Sequence, residues 1–169
     1  MPSTSKSNEA SSSGRSAQTG QVDAIALLTQ DHKNVKALFE QYDSLSDRSR
    51  ASKKKLATQI CLELTKHATA EEEIFYPAVR EATGDDDLVD EATVEHASAK
   101  ELIAQILSMN PDEDLYDAKV KVLSEQIEHH VGEEEGDMFP KARKAKLDLG
   151  ALGEAIEARK AEIELPVLQ

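Results

Sequence analysis

His67-Ala-Thr-Ala-Glu71 and, farther along the chain, His130-Val-Gly-Glu-Glu134 are two copies of one pattern. Each runs through a second glutamate, Glu72 or Glu135, to an aromatic and a proline, Tyr76-Pro77 or Phe139-Pro140, and then to Arg80 or Arg143. A histidine and a glutamate four residues apart lie one above the other on the same side of an α-helix. One imidazole and one carboxylate aimed at a common point make half of a metal site, and the duplication supplies two halves.

Outward from these pairs the chain reads as helix. Ile60 and Leu64 lead into His67, and Ile74 and Ala78 carry the stripe past Glu71, so the spacing predicts one helix from about Ser49 to Ala82. Tyr116, Val120, Leu123 and Ile127 lead into His130 and Glu134 on a helix that starts after Pro111. Two further stripes complete the set. Ile25, Leu28, Val35, Phe39 and Tyr42 follow Asp23, a suitable N-cap, with one gap that His32 fills. Val89, Ala92, Ala99, Ile103 and Ile106 follow the Gly84-Asp85-Asp86 turn, and His96 fills their gap.

Short connections around Ser46, Gly84 and Pro111 make consecutive helices antiparallel neighbours. With 7 glycines in 169 residues and almost no β-branched runs, the expected fold is all-α, an up-down-up-down four-helix bundle. The bundle is expected over residues 22–145. Residues 1–21, rich in Ser and poor in apolar side chains, read as a disordered tail. Residues 146–169 read as a short C-terminal helix and tail, with Leu149, Leu152, Ile156 and Ile163 at helical spacing and nothing that suggests chemistry.

The four inward histidines fall within about two helical turns of one level, at ~1.5 Å per residue from the connecting turns. A single histidine in an apolar stripe is ordinarily a hydrogen-bonded structural residue. Four of them with two carboxylates are not, because burying an unpaired carboxylate costs several kcal/mol and no Lys or Arg lies on these stripes nearby. A metal centre satisfies the whole set, and the candidate ligands are His32, His67, Glu71, His96, His130 and Glu134. His129 continues a different stripe, through Gln126 and Val122, and is left out. Glu72, Glu73, Glu133 and Glu135 read as a solvated face from which one could orient a ligand histidine. Tyr76 reads as an ordinary core aromatic near the site edge, and Cys61 as a small packed thiol. Pro77 and Pro140 are expected to bend or end their helices just past the ligands.

In chain order, His32, His67-x-x-x-Glu71, His96 and His130-x-x-x-Glu134 resemble the hemerythrin-like (HHE cation-binding) family, over about residues 23–144. The resemblance implies a four-helix bundle around two non-haem iron ions joined by an oxo or hydroxo bridge. It implies one iron held by His32 and His67, the other by His96 and His130, with Glu71 and Glu134 bridging. Ferritin-like di-iron proteins differ, using Glu-x-x-His and more carboxylates than histidines. The invertebrate oxygen carriers of the family use five histidines and two carboxylates, and iron-sensing relatives have a glutamate where this chain has Ala68. Six protein ligands leave a position for a small molecule. The implied function is therefore binding of, or reaction with, oxygen, peroxide or nitric oxide, and the alternative is non-catalytic iron binding, storage or sensing.

Charge and composition narrow the partners. A net charge of −13 repels nucleic acid and anionic membrane, so neither is expected, and a small diatomic gas or peroxide is. No apolar run is long enough for a signal sequence core or a membrane span, and a single cysteine suits a reducing cytoplasm. Ser/His/Asp arrangements, P-loops and dinucleotide fingerprints are absent from the sequence. It singles out no catalytic side chain and no protein partner.

Overall fold

The computed structural model describes residues 23–165, so the Ser-rich segment 1–21 lies outside the described residues. Helix α1, Ala24–Asp43, starts at Asp23, whose side chain accepts from the Ala26 N–H at 2.7 Å. Helix α2, Arg50–Ala70, is followed without a break by a π-turn, Glu71–Phe75, and by α3, Tyr76–Thr83. Gly84 then closes α3 at φ +66°, its N–H bonded to the Arg80 carbonyl, in the left-handed conformation that glycine adopts without strain. Asp85 caps α4, Asp86–Ser108. Helix α5, Tyr116–Glu133, likewise passes through a π-turn, Glu134–Met138, into α6, Phe139–Lys144. Asp148 caps α7, Leu149–Ala161.

Helices α1, α2, α4 and α5 touch in a closed ring, each against the next and α5 back against α1. With the α3 and α6 extensions they form the expected antiparallel four-helix bundle. Helix α7 lies against α1, α2 and the first π-turn. Among the described residues no helix is long and apolar enough to cross a membrane.

Two apolar clusters fill the bundle. One contains Leu28, Phe75, Val79, Met138, Phe139 and, from α7, Ile156. The other contains Val35, Phe39, Ile60, Leu64, Ile103 and Leu123. Each fully buried side chain of this size contributes about 1.5–3 kcal/mol, which offsets the cost of the polar layer between the clusters. Cys61 is a fully buried member of the second cluster, and burial pushes its thiol up to about 12, so it is a packing group.

The prolines do not end their helices. Pro77 and Pro140 have no N–H to offer the carbonyl four or five residues back, and the preceding turn widens by one residue instead. The widened turns are closed by Tyr76 N–H to Glu71 O and Phe139 N–H to Glu134 O, the i to i+5 pattern of a π-turn. A second correction follows from the same cause. The spacing predicts Ile74 and Ala78 on the buried stripe, yet both are half-buried, and Phe75, Tyr76 and Val79 face inward. One added residue per turn moves the inward face by one position.

Candidate metal centre

All six candidate residues meet in the polar layer, none more than 8% exposed. His67 and Glu71 sit on the last turns of α2 and the start of its π-turn, His130 and Glu134 on the equivalent part of α5, and His32 and His96 at mid-length of α1 and α4. Glu71 Oε1 lies 2.9 Å from His67 Nε2 and 3.3 Å from His96 Nε2. Glu134 Oε1 lies 3.1 Å from His130 Nε2 and 3.3 Å from His32 Nε2. Each carboxylate thus stands between two histidines from different helices. The ligand-type atoms fall into two groups, His32, His67, Glu71 and Glu134 in one and Glu71, His96 and His130 in the other, each within 4.8 Å.

Close as they are, these atoms do not satisfy one another. His32 Nε2, His67 Nε2, both Glu71 oxygens and Glu134 Oε1 are buried and make no hydrogen bond of acceptable geometry. Two buried carboxylates whose oxygens face imidazole nitrogens need positive charge beside them, from a metal ion or from protonated imidazoles. A mixed imidazole and carboxylate set suits iron and other first-row transition metals better than magnesium or calcium, which prefer all-oxygen sites.

A ring of outer carboxylates holds the imidazoles from behind. His67 Nδ1–H donates to Asp31 at 2.9 Å, His130 Nδ1–H to Glu95 at 3.1 Å and His32 Nδ1–H to Glu135 at 3.1 Å. Glu72 stands 3.6 Å from His96 Nδ1, too far for a hydrogen bond. With Nδ1 of His32, His67 and His130 engaged outward, Nε2 of these three rings is left for the centre. The sequence reading allows for one such helper among Glu72, Glu73, Glu133 and Glu135, a role in which Glu135 is found, and misses Asp31 and Glu95. Neither is marked by its place in the chain, since Asp31 precedes His32 but meets His67, and Glu95 precedes His96 but meets His130. His129 is exposed and pairs with Glu133 at 3.1 Å, outside the centre as expected.

Tyr76 is more than a core aromatic. Its hydroxyl donates to Glu134 Oε2 at 3.0 Å and lies 3.1 Å and 3.2 Å from Nε2 of His96 and His130. Burial, then the charges of Glu71 and Glu134, pushes this phenol far above its ordinary value, so in the metal-free protein it is a neutral donor. The π-turn brings it there, because a residue five positions after Glu71 falls on the inward face only when that turn is widened. At the equivalent place Phe139 stacks on His32, with centroids 5.8 Å apart and planes 3° from parallel. At this position the two halves differ by one hydroxyl.

A family model described as the hemerythrin HHE cation binding domain matches residues 23–142. The chain belongs to that family. A solved structure, that of a hemerythrin HHE cation binding domain-containing protein from Mycobacterium kansasii, superposes with a TM-score of 0.71 at 26% identity, over 83% of this chain and 86% of that one. A Nostoc protein named DNA nickase is 32% identical over 117 residues, and an uncharacterized hemerythrin-like protein of Schizosaccharomyces pombe is 24% identical over 115. The alignments take in 69% and 67% of this chain, which spans 32% of the Nostoc protein and 56% of the yeast one.

Beside the centre of this HHE domain lies a cavity of about 120 Å³, walled by Val35, Leu64, Ala99, Ile103, Ile127 and Val131 and floored by the four histidines. Leu64, Ile103 and Ile127 come from the same apolar stripes as the histidines. Ile60 packs deeper in the same cluster and does not line the cavity. The space admits a few small molecules and little else.

Protons compete with any metal in this HHE domain. Burial alone would lower His67, but Glu71 and then Asp31 reverse this and raise it to about 10. Burial is likewise overcome at His130, by Glu134 first, which raises it to about 9. Glu71, against the penalty of burial, is held well below the usual carboxylate range by His67. In the metal-free protein at pH 7 both histidines are therefore cations. Their raised values stabilise the fold fully below the ordinary 6.5, and this is lost as pH rises through about 9 to 10. The Glu71 contribution is present above its ordinary 4.5 and is lost as pH falls through its lowered value. Metal-free protein should thus melt highest at about pH 5–6 and weaken above pH 9. Metal loading at pH 7 should release about two protons per chain, measurable by calorimetry in buffers of different ionisation enthalpy. No proton release would show that these imidazoles are neutral before metal arrives.

Proposed function

We propose that this HHE domain holds two non-haem irons and binds or reacts with oxygen, peroxide or nitric oxide. The observation that carries the reading is the pair of ligand groups sharing Glu71, with His32 Nε2, His67 Nε2, both Glu71 oxygens and Glu134 Oε1 without hydrogen bonds, beside an apolar cavity sized for small molecules. His32, His67, Glu71 and Glu134 would hold one iron and Glu71, His96 and His130 the other. When bound, the irons supply redox and Lewis-acid chemistry. The chain's own groups orient and protect. Asp31, Glu95 and Glu135 fix imidazole directions, the apolar cavity wall excludes bulk water, and Tyr76 Oη holds a proton beside Glu134 and the His96–His130 pair. The buried lone cysteine supports a cytoplasmic setting. DNA cleavage is not carried over from the Nostoc relative, because the chain spans 32% of it and has a net charge of −13.

Elemental analysis and an oxygen electrode test this reading together. Protein from iron-replete medium should hold about two irons per chain and should convert hydrogen peroxide to water and oxygen. Glu134→Ala at matched iron content should turn over at least ~100-fold more slowly. Equal turnover by both would assign the chemistry to free iron. Two irons with no turnover in the wild type would select the storage or sensing reading.

A further inference from the structure

Helix α7 carries no residue of the inward set, yet one of its side chains reaches the centre in two steps. Leu149, Leu152, Gly153 and Ile156 share the face of α7 that docks on the bundle, and Ile156 is fully buried there. One turn farther along that face stands Lys160, its side chain 19% exposed. Its ammonium contacts both oxygens of Asp31 at 2.6 Å, and Asp31 Oδ2 accepts the Nδ1–H of His67 at 2.9 Å. The basic side chains behind other outer carboxylates are placed differently. Lys100, behind Glu72, is 52% exposed, and His129, behind Glu95, is 67% exposed and 3.7 Å away.

We propose that Lys160 is a positioning residue for the metal centre, holding Asp31 so that His67 presents Nε2 inward, and that α7 thereby secures the iron of the His32–His67 group in preference to the other. This rests on the two-iron reading for its second half only. A carboxylate free to rotate accepts the Nδ1 proton part of the time, whereas one clamped through both oxygens by a half-buried ammonium keeps a single direction. Orientation of a ligand imidazole from behind is worth about 10–100-fold in metal affinity. The neighbouring pair, Arg159 with Glu73 at 2.6 Å, ties α7 to the first π-turn without touching a histidine. It serves as the internal control.

The test compares full-length Lys160→Met, Lys160→Arg and Arg159→Ala with the wild type. In the metal-free protein, the His67 Nδ1 proton, followed by NMR, should exchange about tenfold faster in Lys160→Met. Arg159→Ala should leave it at the wild-type rate, and Lys160→Arg should restore it. In the iron-loaded protein, a chelator should remove one of the two irons about tenfold faster from Lys160→Met and the other at the wild-type rate. An unchanged proton exchange rate in Lys160→Met would overturn the proposal whether or not the protein holds iron. So would equal acceleration by Arg159→Ala, which would reduce the effect to general loosening of α7. Equal acceleration of both irons would overturn the preference for the His32–His67 group. If Lys160→Met does not fold, Lys160→Gln is read in the same way.

Discussion

His130→Ala should empty the centre, lowering iron from about two to well under one per chain, while the adjacent His129→Ala leaves iron content unchanged. His130 Nε2 lies 3.1 Å from both Glu134 Oε1 and His96 Nε2, and its ring is 4% exposed. Removing it takes one donor from a group of three and frees Glu134 to turn away. His129 points to solvent and meets Glu133, an exposed pairing worth about 0–1 kcal/mol at most. Metal analysis of the two variants after identical purification distinguishes them. Reversed outcomes would place α5 one residue out of register.

The second large effect is on stability. Stripping the metal should lower the melting temperature by roughly 8–16 °C, because a ligand held at about a thousand times its Kd stabilises by about 4 kcal/mol and each kcal/mol is worth about 2–4 °C at this size. The bundle should remain helical, since two apolar clusters on either side of the polar layer do not depend on metal. Scanning calorimetry before and after chelation reads the shift. An unchanged melting temperature would mean that protonated His67 and His130 satisfy Glu71 and Glu134 as well as a metal does. The same measurement repeated at pH 9.5 separates these cases, because the protonated alternative weakens there and the metal-bound form does not.

Periodicity made most of this legible. The stripe gaps at His32 and His96 could be found because α1 and α4 are uninterrupted α-helices, in which a residue every three or four positions faces inward. The His67–Glu71 and His130–Glu134 pairs were equally readable, since each glutamate opens its π-turn and so still follows its histidine at helical spacing. Legibility fails within the next turn. A period of 3.6 puts Ile74 inward, and only the widened turn explains why Tyr76 reaches Glu134 instead. Proline six residues after the glutamate in both copies was the visible sign of that turn, although it also fits a helix end.

The outer shell was hidden for a different reason. Asp31 and Glu95 lie on no apolar stripe, so amphipathic patterning classes them with the solvated residues, and only the packing of α1 on α2 and of α4 on α5 turns them toward His67 and His130. Lys160 was harder still. It depends on where α7 docks, which glycines at 150 and 153 and a weak apolar stripe do not specify.

The most direct test of the two-iron centre is a crystal structure of the iron-loaded protein with anomalous data collected on either side of the iron edge. Two iron peaks should appear on either side of Glu71, one among His32, His67 and Glu134 and the other beside His96 and His130. A single peak, a peak with the edge of another metal, or peaks confined to surface carboxylates would contradict it.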